Sequence, residues 1–317
     1  MRILLVKTSS MGDVIHNLPV VSDIVAGFPD AKIDWVVEEN FVDIPSLHPG
    51  VCAVIPVAWR RWRKSLFSSK TWTEIAAFRR ALSTENYDYI IDTQGLIKSA
   101  MITRLAHGQR YGFDAASARE SWSAIAYRHK YAVSTTLHAV QRNRELVAQV
   151  MRITTPGALN YGLIVSPDKQ LSAASAVLLT ATSRDDKLWP ETDWIALGQH
   201  LAKRGLLCLL PGGNALELAR AARLAESIPN ASAMAAQGLS ALAKTISSAT
   251  VVVGVDTGLV HLAAALGRPT VAIYCASDPA LTGVLATTPF ANLGAKGKAP
   301  TVAEVIVATD DLLAEAR

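Results

Sequence analysis

Short runs of continuous apolar residues alternate with longer segments of helical period along this chain, and the alternation restarts halfway. The first run, Ile3 to Val6, passes into Ser9-Ser10-Met11-Gly12. A helix is then expected to start near Asp13, with Val14, Ile15 and Leu18 facing inward. Strands that are apolar on every residue need cover on both faces. Strands joined through helices run parallel. In the first half the pattern predicts strands over 2–7, 33–38, 51–56, 88–92 and 109–113, with helices over 12–26, 71–84, 97–106 and 138–151. Periodicity breaks over 154–161, which contains Pro156 and Gly157, and the connection continues to residue 168. The second half predicts strands over 176–180, 206–210, 231–234, 250–255 and 270–274. Its helices are expected over 191–204, 215–227, 239–248 and 259–266, with a last one over 301–316 after a Gly- and Lys-rich loop around Gly294–Gly297. The expected fold is α/β: two Rossmann-like, doubly wound parallel-sheet domains, 1–160 and 161–317, facing a central cleft. Ligands of such sheets bind outside the carboxyl ends of the strands.

Composition narrows the class. Half of the 317 residues are hydrophobic and 18% are charged, so large cores are expected and extended disorder is not. The apolar runs are far too short to span a bilayer, and the N-terminus has no secretory pattern, so a cytoplasmic protein is expected. The three cysteines, Cys52, Cys208 and Cys275, have neither metal nor disulfide spacing and read as buried small hydrophobes. The charge is lopsided. Residues 1–160 hold 19 Lys and Arg against 14 Asp and Glu, whereas residues 161–317 hold 12 against 13. An anionic partner of the first half follows from that excess.

Three segments carry candidate chemistry. Asp13 falls at the carboxyl end of a strand and the amino end of a helix. A carboxylate there either caps the helix or acts as a general base on a bound hydroxyl. In the second half a buried strand ends at Asp256-Thr257-Gly258, and a helix runs from there to Gly267. Gly258 allows close approach of a ligand, the free helix amides suit a phosphate, and His261 lies one turn further on. The plain alternative is a capped turn with a core histidine; Asp-Thr-Gly alone is a weak signal. Thr182-Ser183-Arg184-Asp185-Asp186-Lys187 follows the first strand of the same half. It offers hydroxyl donors and a point charge for a diphosphate, or is a solvated loop.

Trp59-Arg60-Arg61-Trp62-Arg63-Lys64 sets four cations among two indoles. A solvated loop, nucleic acid, and a phosphorylated glycolipid or anionic membrane surface all fit this composition, although no recognised nucleic-acid motif is present. Lys98 and Arg119 are expected in loops of the same domain. No Gly-x-Gly-x-x-Gly, Walker loop, Asp-x-Asp or His/Asp cluster occurs, so nucleotide cofactors and a metal are not expected.

These segments resemble the heptosyltransferase I family of ADP-heptose:lipopolysaccharide transferases, within glycosyltransferase family 9, nearly end to end. The specific pieces are Lys7-Thr-Ser-Ser-Met-Gly-Asp13-Val, Val36-Val-Glu-Glu39, Ile55-Pro-Val, Arg60-Arg-Trp-Arg-Lys64, Asp92-x-Gln-Gly-Leu-x-Lys98-Ser, His138-Ala-Val, Thr182-Ser-Arg-Asp-Asp-Lys187-x-Trp-Pro190 and Val255-Asp-Thr-Gly258. The resemblance implies a GT-B enzyme that inverts the donor anomeric carbon and requires no metal or cofactor. It implies ADP-heptose as donor, Kdo2-lipid A as acceptor, an anionic membrane surface at the cytoplasmic face of the inner membrane, and no nucleic acid. Carried over residue by residue, Asp13 is the general base, and Ser10 and Gly12 shape the loop beside the donor sugar. Thr182, Ser183 and Lys187 hold the diphosphate and heptose, and Asp256, Thr257, Gly258 and His261 complete that pocket. Glu217 takes the adenosine ribose. The base-contacting position falls on Gln237, where the family commonly has Met, and Ser183 replaces a common Thr. Arg60, Arg61, Arg63, Lys64, Lys98 and Arg119 are the expected acceptor-binding residues. A heptosyltransferase II acting on a heptosylated core, a sugar-nucleotide-binding protein without turnover and a nucleotide-sugar epimerase remain as alternatives.

Overall fold

The computed structural model describes residues 1–153, 157–168, 171 and 173–315. It divides into two compact units, Met1–Leu163 and Ile164–Arg317, so the boundary expected after residue 160 falls inside unit 1. Part of the expected connection, residues 154–156, lies outside the described residues, as does residue 316 at the end of the expected last helix.

Unit 1 contains β1 (Arg2–Val6), β2 (Lys32–Glu38), β3 (Val51–Val57), β4 (Asn86–Asp92), β5 (His107–Phe113) and β6 (His129–Tyr131). Its helices are α1 (Met11–Ile15), α2 (Leu18–Gly27), α3 (Asp43–Ser46), α4 (Trp59–Trp62), α5 (Ser69–Ser83), α6 (Ile97–Thr103) and α7 (Ala139–Met151). The strands form one sheet in the order β3-β2-β1-β4-β5-β6, every pair parallel. Ile3 to Val6 are fully buried, which is why β1 shows no alternation. Leu4 and Val6 share one core with Val36, Trp62, Phe78, Leu82 and Ile90.

Unit 2 repeats the plan. Its strands are β7 (Ser175–Leu179), β8 (Leu207–Leu210), β9 (Ala231–Ala233), β10 (Val251–Val255), β11 (Thr270–Tyr274) and β12 (Phe290–Gly294). Its helices are α8 (Glu191–Lys203), α9 (Ala215–Ser227), α10 (Leu239–Ser248), α11 (Gly258–Ala265), α12 (Pro279–Thr282) and α13 (Val302–Glu315). The order β12-β11-β10-β7-β8-β9 is the same wiring as in unit 1, and again every pair is parallel. In both units the chain reverses its direction of winding beside the first strand, between β1 and β4 and between β7 and β10. In open parallel sheets the ligand crevice opens at that switch point.

Four expectations need correction. The single helix over 12–26 is two helices. Pro19 has no amide to give the residue 15 carbonyl and its ring collides with it, so α1 stops and α2 restarts after Asn17. The edge strand β6, His-Lys-Tyr, has no apolar run to announce it. The other missed edge strand, β12, ends at Gly294, whose φ of +89° turns the chain into the expected loop. Of the cysteines only Cys208 is buried; Cys52 is exposed on the edge strand β3 and Cys275 is half-buried. Among the described residues, no helix is long and apolar enough to cross a membrane.

Gly254 shows how tightly β10 is held. A Cβ at this position would lie 2.5 Å from Val260 Cγ1 on α11 and 2.7 Å from Leu179 Cβ on β7. Gly254→Ala is therefore expected to cost about 1–3 kcal/mol through overpacking. The check is the denaturant midpoint of the variant; an unchanged midpoint would mean that β10 and α11 can separate freely.

Candidate active site

In unit 1 the loops leaving β1 and β4 are tied together by buried polar groups. The Lys7 ammonium donates to the Thr93 carbonyl at 2.7 Å and to Asn143 Oδ1 at 3.2 Å. Gln94 Oε1 accepts from the amides of Thr8 and Ser9 at 3.0 and 3.2 Å. Asp92 fixes the β4 turn: Oδ1 accepts from the Gln94 and Gly95 amides at 2.8 and 3.1 Å, and Oδ2 accepts the Tyr127 hydroxyl at 2.7 Å. Burial pushes Lys7 down to about 8 against the attraction of Asp13 and Asp92. Burial likewise pushes Asp92 up, opposed by its hydrogen bonds to Tyr127, Ser99, Gly95 and Gln94.

This framework presents Asp13. Ser10 is the N-cap of α1 and Asp13 its third residue. Asp13 Oδ2 accepts from the Ser10 amide at 2.8 Å and from Ser10 Oγ at 3.0 Å, and Arg119 Nη1 lies 3.8 Å from it. The capping role is therefore real, and it uses one oxygen. Oδ1 accepts no hydrogen bond from a described residue, which leaves a partly exposed acceptor at the switch point. Capping and base catalysis are thus compatible on one carboxylate. Gly12 lies inside α1, half-buried between these two residues.

The cations sort into three groups. Lys98 sits in the first turn of α6, not in a loop, and donates to Ser9 Oγ at 2.8 Å. Burial pushes it down; Glu38, Asp13 and Glu120 oppose that and Arg60 adds to it, so these groups share one local field. Arg60 donates its backbone amide to Glu38 Oε1 at 2.9 Å, and its guanidinium lies 5.6 Å over the Phe41 ring. Arg61 is committed within the fold: Glu39 accepts from it at 3.1 and 2.9 Å and Glu74 at 2.7 Å. Glu74 also takes the Trp62 indole N–H at 2.8 Å, and Trp62 packs edge-on against Phe78. The basic-aromatic segment is thus the one-turn helix α4 with an anchored face, and Glu39 and Glu74 supply the counter-charge that four crowded cations need. Arg63 and Lys64 are exposed and form no ion pair among the described residues.

Unit 2 builds its switch point from the ends of β7 and β10. Lys187 closes a short turn, and its Nζ donates to Asp256 Oδ2 at 2.6 Å. Ser277 Oγ donates to the same oxygen, and Thr182 Oγ1 donates to the Asp256 carbonyl at 3.1 Å. Burial alone would raise Asp256. The hydrogen bonds from Lys187 and Ser277, with the charges of Lys187 and His261, outweigh it and hold the carboxyl below its usual range. Thr257 is the N-cap of α11 without a side-chain cap bond, and α11 begins at Gly258, so the first amides of the helix have no cap from that hydroxyl. His261 is buried on the first turn of α11. Ser183 is exposed, and its neighbour Arg184 pairs with Asp186. Glu217 lies in the first turn of α9, after the second strand of the sheet. It accepts from the Gly213 amide and from Asn214 Nδ2, both at 2.7 Å, so its first structural duty is to close that turn. Gln237 follows β9, with Nε2 3.9 Å from Met234 Sδ.

Sequence reasoning quoted Lys7, Glu38, Asp92 and Gln94 within matching motifs but gave them no role, and it did not single out Tyr127, Asn143 or Ser277. The Asp92-Thr-Gln-Gly turn was visible as a strand end. Tyr127, Asn143 and Ser277 come from remote segments and leave no local signal. Glu38 is buried, and its Oε2 has no hydrogen-bond partner among the described residues.

A carboxylate at one switch point, and a cation beside a helix start without a side-chain cap at another, are compatible with a nucleotide-sugar transferase. Known proteins agree with that class. Residues 75–308 match the model of glycosyltransferase family 9 (heptosyltransferase). Lipopolysaccharide heptosyltransferase 1 of Escherichia coli K12 is 46% identical over 288 residues, covering 89% of this chain and 90% of that protein. A structure of E. coli heptosyltransferase WaaC with ADP superimposes with a TM-score of 0.92 at 41% identity, covering all of both chains. The same enzyme with ADP-2-deoxy-2-fluoro heptose gives 0.88, also over all of both chains. The chain belongs to glycosyltransferase family 9; it is a glycosyltransferase with the GT-B fold.

The Lys187–Asp256 pair has a pH signature. A carboxyl held low in the folded state contributes stability above its unfolded value of about 4 and loses it as pH falls through the folded value. Lys187→Met removes one of the groups that together outweigh burial at Asp256. The variant is expected to be less stable than wild type at neutral pH, with the gap narrowing below about pH 4. Denaturant midpoints across pH measure this, and a gap independent of pH would show that the pair does not set the Asp256 value.

Proposed function

We propose that the protein transfers L-glycero-D-manno-heptose from ADP-heptose to the Kdo of Kdo2-lipid A, inverting the donor anomeric carbon, in assembly of the lipopolysaccharide inner core. The observation that carries this reading is Asp13: a strand-end carboxylate with one oxygen pinned by its own helix cap and the other open. The identity with heptosyltransferase 1 over nearly nine-tenths of the chain supports the choice of donor and acceptor.

In this reading Asp13 takes the proton of the attacking Kdo hydroxyl as the new glycosidic bond forms. The bond from the anomeric carbon to the diphosphate oxygen breaks on the opposite face, and ADP leaves with the electron pair. Lys187 and the α11 amides at Thr257–Gly258 stabilise that charge, with hydroxyls from Thr182 and Ser183. Asp256, beside His261, accepts from sugar hydroxyls. Ser10 and Gly12 border the donor sugar, Glu217 takes the ribose, and Gln237 meets the adenine through its backbone. No metal takes part. Arg60, Arg63, Lys64, Lys98 and Arg119 meet acceptor phosphates and carboxylates. Arg61 supports them by holding α4 in place. The enzyme works as a peripheral protein on the cytoplasmic face of the inner membrane. Mass spectrometry of a reaction of ADP-heptose with Kdo2-lipid A in excess EDTA tests the reading. One added heptosyl residue with release of ADP is expected. Product only from an already heptosylated acceptor points to a heptosyltransferase II, and binding without product to a sugar-nucleotide-binding protein.

Asp13→Asn keeps the N-cap acceptor oxygen and removes the base. Turnover is expected to fall by about 10²–10⁴-fold with ADP affinity unchanged by calorimetry. Near-normal turnover would remove Asp13 from the chemistry.

Neutralising Arg60, Arg63 and Lys64 together should raise the acceptor KM and leave ADP affinity near wild type. The acceptor effect should shrink in high salt, because exposed charges are screened over about 10 Å at 0.1 M. Loss of ADP binding with acceptor KM intact would reverse the assignment of acceptor and donor to the two units.

A further inference from the structure

In the loop between α4 and α5 and the first turn of α5 the chain exposes three large apolar side chains within seven residues. Phe67 is fully exposed at 105% of its reference area, Leu66 is 49% exposed and Trp72 is 59% exposed. The Trp72 indole N–H donates to the Leu66 carbonyl at 2.8 Å, which binds the start of α5 to the loop and holds the three residues in one cluster. The base of the loop is rigid, because Trp62 is buried and Arg61 is clamped by Glu39 and Glu74.

The charges around this tip are of one sign. Arg63, Lys64 and Lys70 are exposed, and no acidic residue occurs between Arg60 and Glu74. Glu74 is already occupied by Arg61 and Trp62. Among the described residues, unit 1 also holds most of the exposed large apolar side chains. A second group, Ile97 and Met101 on α6 with Trp122 and Ile125 on the neighbouring 3₁₀ turn, belongs to it, whereas unit 2 exposes Ile164, Leu216, Leu281 and Val307 at scattered sites. Apolar exposure and positive charge therefore concentrate in the same unit. A lone apolar protrusion would suit many partners. An apolar tip whose flanking charges in sequence, from Arg60 to Lys70, are all cations suits a surface that is anionic outside and hydrocarbon inside, where aromatic and aliphatic side chains enter the acyl boundary and Lys and Arg stay at the headgroups.

We propose that Leu66, Phe67 and Trp72 form a membrane-inserting tip, and that its occupant is a bilayer containing anionic phospholipid. This deepens the peripheral attachment proposed above and rests on that reading for its place in the cell. Attachment then has two parts: long-range attraction through Arg63, Lys64 and Lys70, which salt weakens, and apolar insertion, which salt does not remove.

The test uses vesicles without acceptor, so that it stands or fails apart from the transferase activity. Wild type should float with phosphatidylglycerol–phosphatidylcholine vesicles, more weakly with pure phosphatidylcholine, and keep part of its binding in 0.5 M salt. Leu66→Ser/Phe67→Ser should fold as wild type, since both side chains are exposed, and should lose about tenfold or more in partitioning from the apolar area removed. Its turnover on a deacylated, water-soluble acceptor should be unchanged. An environment-sensitive dye at Phe67→Cys, on a Cys52→Ser/Cys275→Ser background, should shift to an apolar signal on anionic vesicles. The proposal is overturned if the double variant partitions like wild type, if the dye stays in water on bound protein, or if 0.5 M salt releases the wild type completely. It is also overturned if wild type ignores acceptor-free vesicles and the double variant is impaired only on acylated acceptor, because the tip would then hold the acceptor's own chains.

Discussion

In a parallel sheet every strand ends on the same edge, and the chain must cross back over a face before it can start the next strand. When the winding direction reverses, two neighbouring strands send their following helices to opposite faces, and a gap opens between the loops at their carboxyl ends. Both units are built on this constraint, with the same strand order. The reversal puts Lys7–Asp13 beside Asp92–Lys98 in unit 1, and Thr180–Lys187 beside Asp256–Gly258 in unit 2. None of these residues is a sequence neighbour of its partner across the gap. Their proximity follows from the wiring of the sheet and from the burial of β1 from Ile3 onward and of all of β7 and β10, which fixes the register that aligns the strand ends.

Placing loops at an edge does not make them rigid, and the buried polar groups supply that. Lys7 is pushed down to about 8 because burial outweighs two nearby carboxylates, yet it holds the Thr93 carbonyl and Asn143. A charged group so buried is tolerated only where its donors are matched. Asp92 is the counterpart: four hydrogen bonds do not offset its loss of water, and it still orders two amides and Tyr127. Unit 1 thus gives up the solvation of these groups for the geometry of the loops that flank Asp13.

The alternation of apolar runs and helical segments was enough to read the fold class, because buried parallel strands leave continuous hydrophobic stretches. It was silent where that physics is absent. The edge strand β6 is short and polar, and β12 is half-buried throughout and ends in a left-handed glycine. Pro19 was visible, but its effect on helix 12–26 required attention to the missing amide at one position. The candidate site divided in the same way. Asp13, Lys187 and Asp256 were legible because each lies in the connection that leaves a strand's carboxyl end. The groups that hold them, Gln94, Tyr127, Asn143 and Ser277, act across long sequence separations and carry no local pattern. The basic segment shows the limit of counting charge. Its four cations read as one anion site, whereas Arg61, although exposed, is paired with Glu39 and Glu74, and Arg63 and Lys64 have no ion pair among the described residues.

Two strand-end aspartates raise the question of which one can accept a proton. Asp256 has Lys187 and Ser277 on a single oxygen, and these with His261 hold its carboxyl below the ordinary range in spite of burial. A group stabilised in this way as an anion is a weak base, and it also partly neutralises the cation a diphosphate would meet. It suits hydrogen bonding to neutral hydroxyls and the positioning of Lys187. At Asp13 the hydrogen bonds come from its own cap, on Oδ2, and the nearest guanidinium is 3.8 Å away. No ammonium is locked onto it, and its second oxygen is open. The same side chain, after the first strand of one sheet and after the fourth of the other, therefore has different immediate partners, and those partners fit the proposal that Asp13 takes the proton.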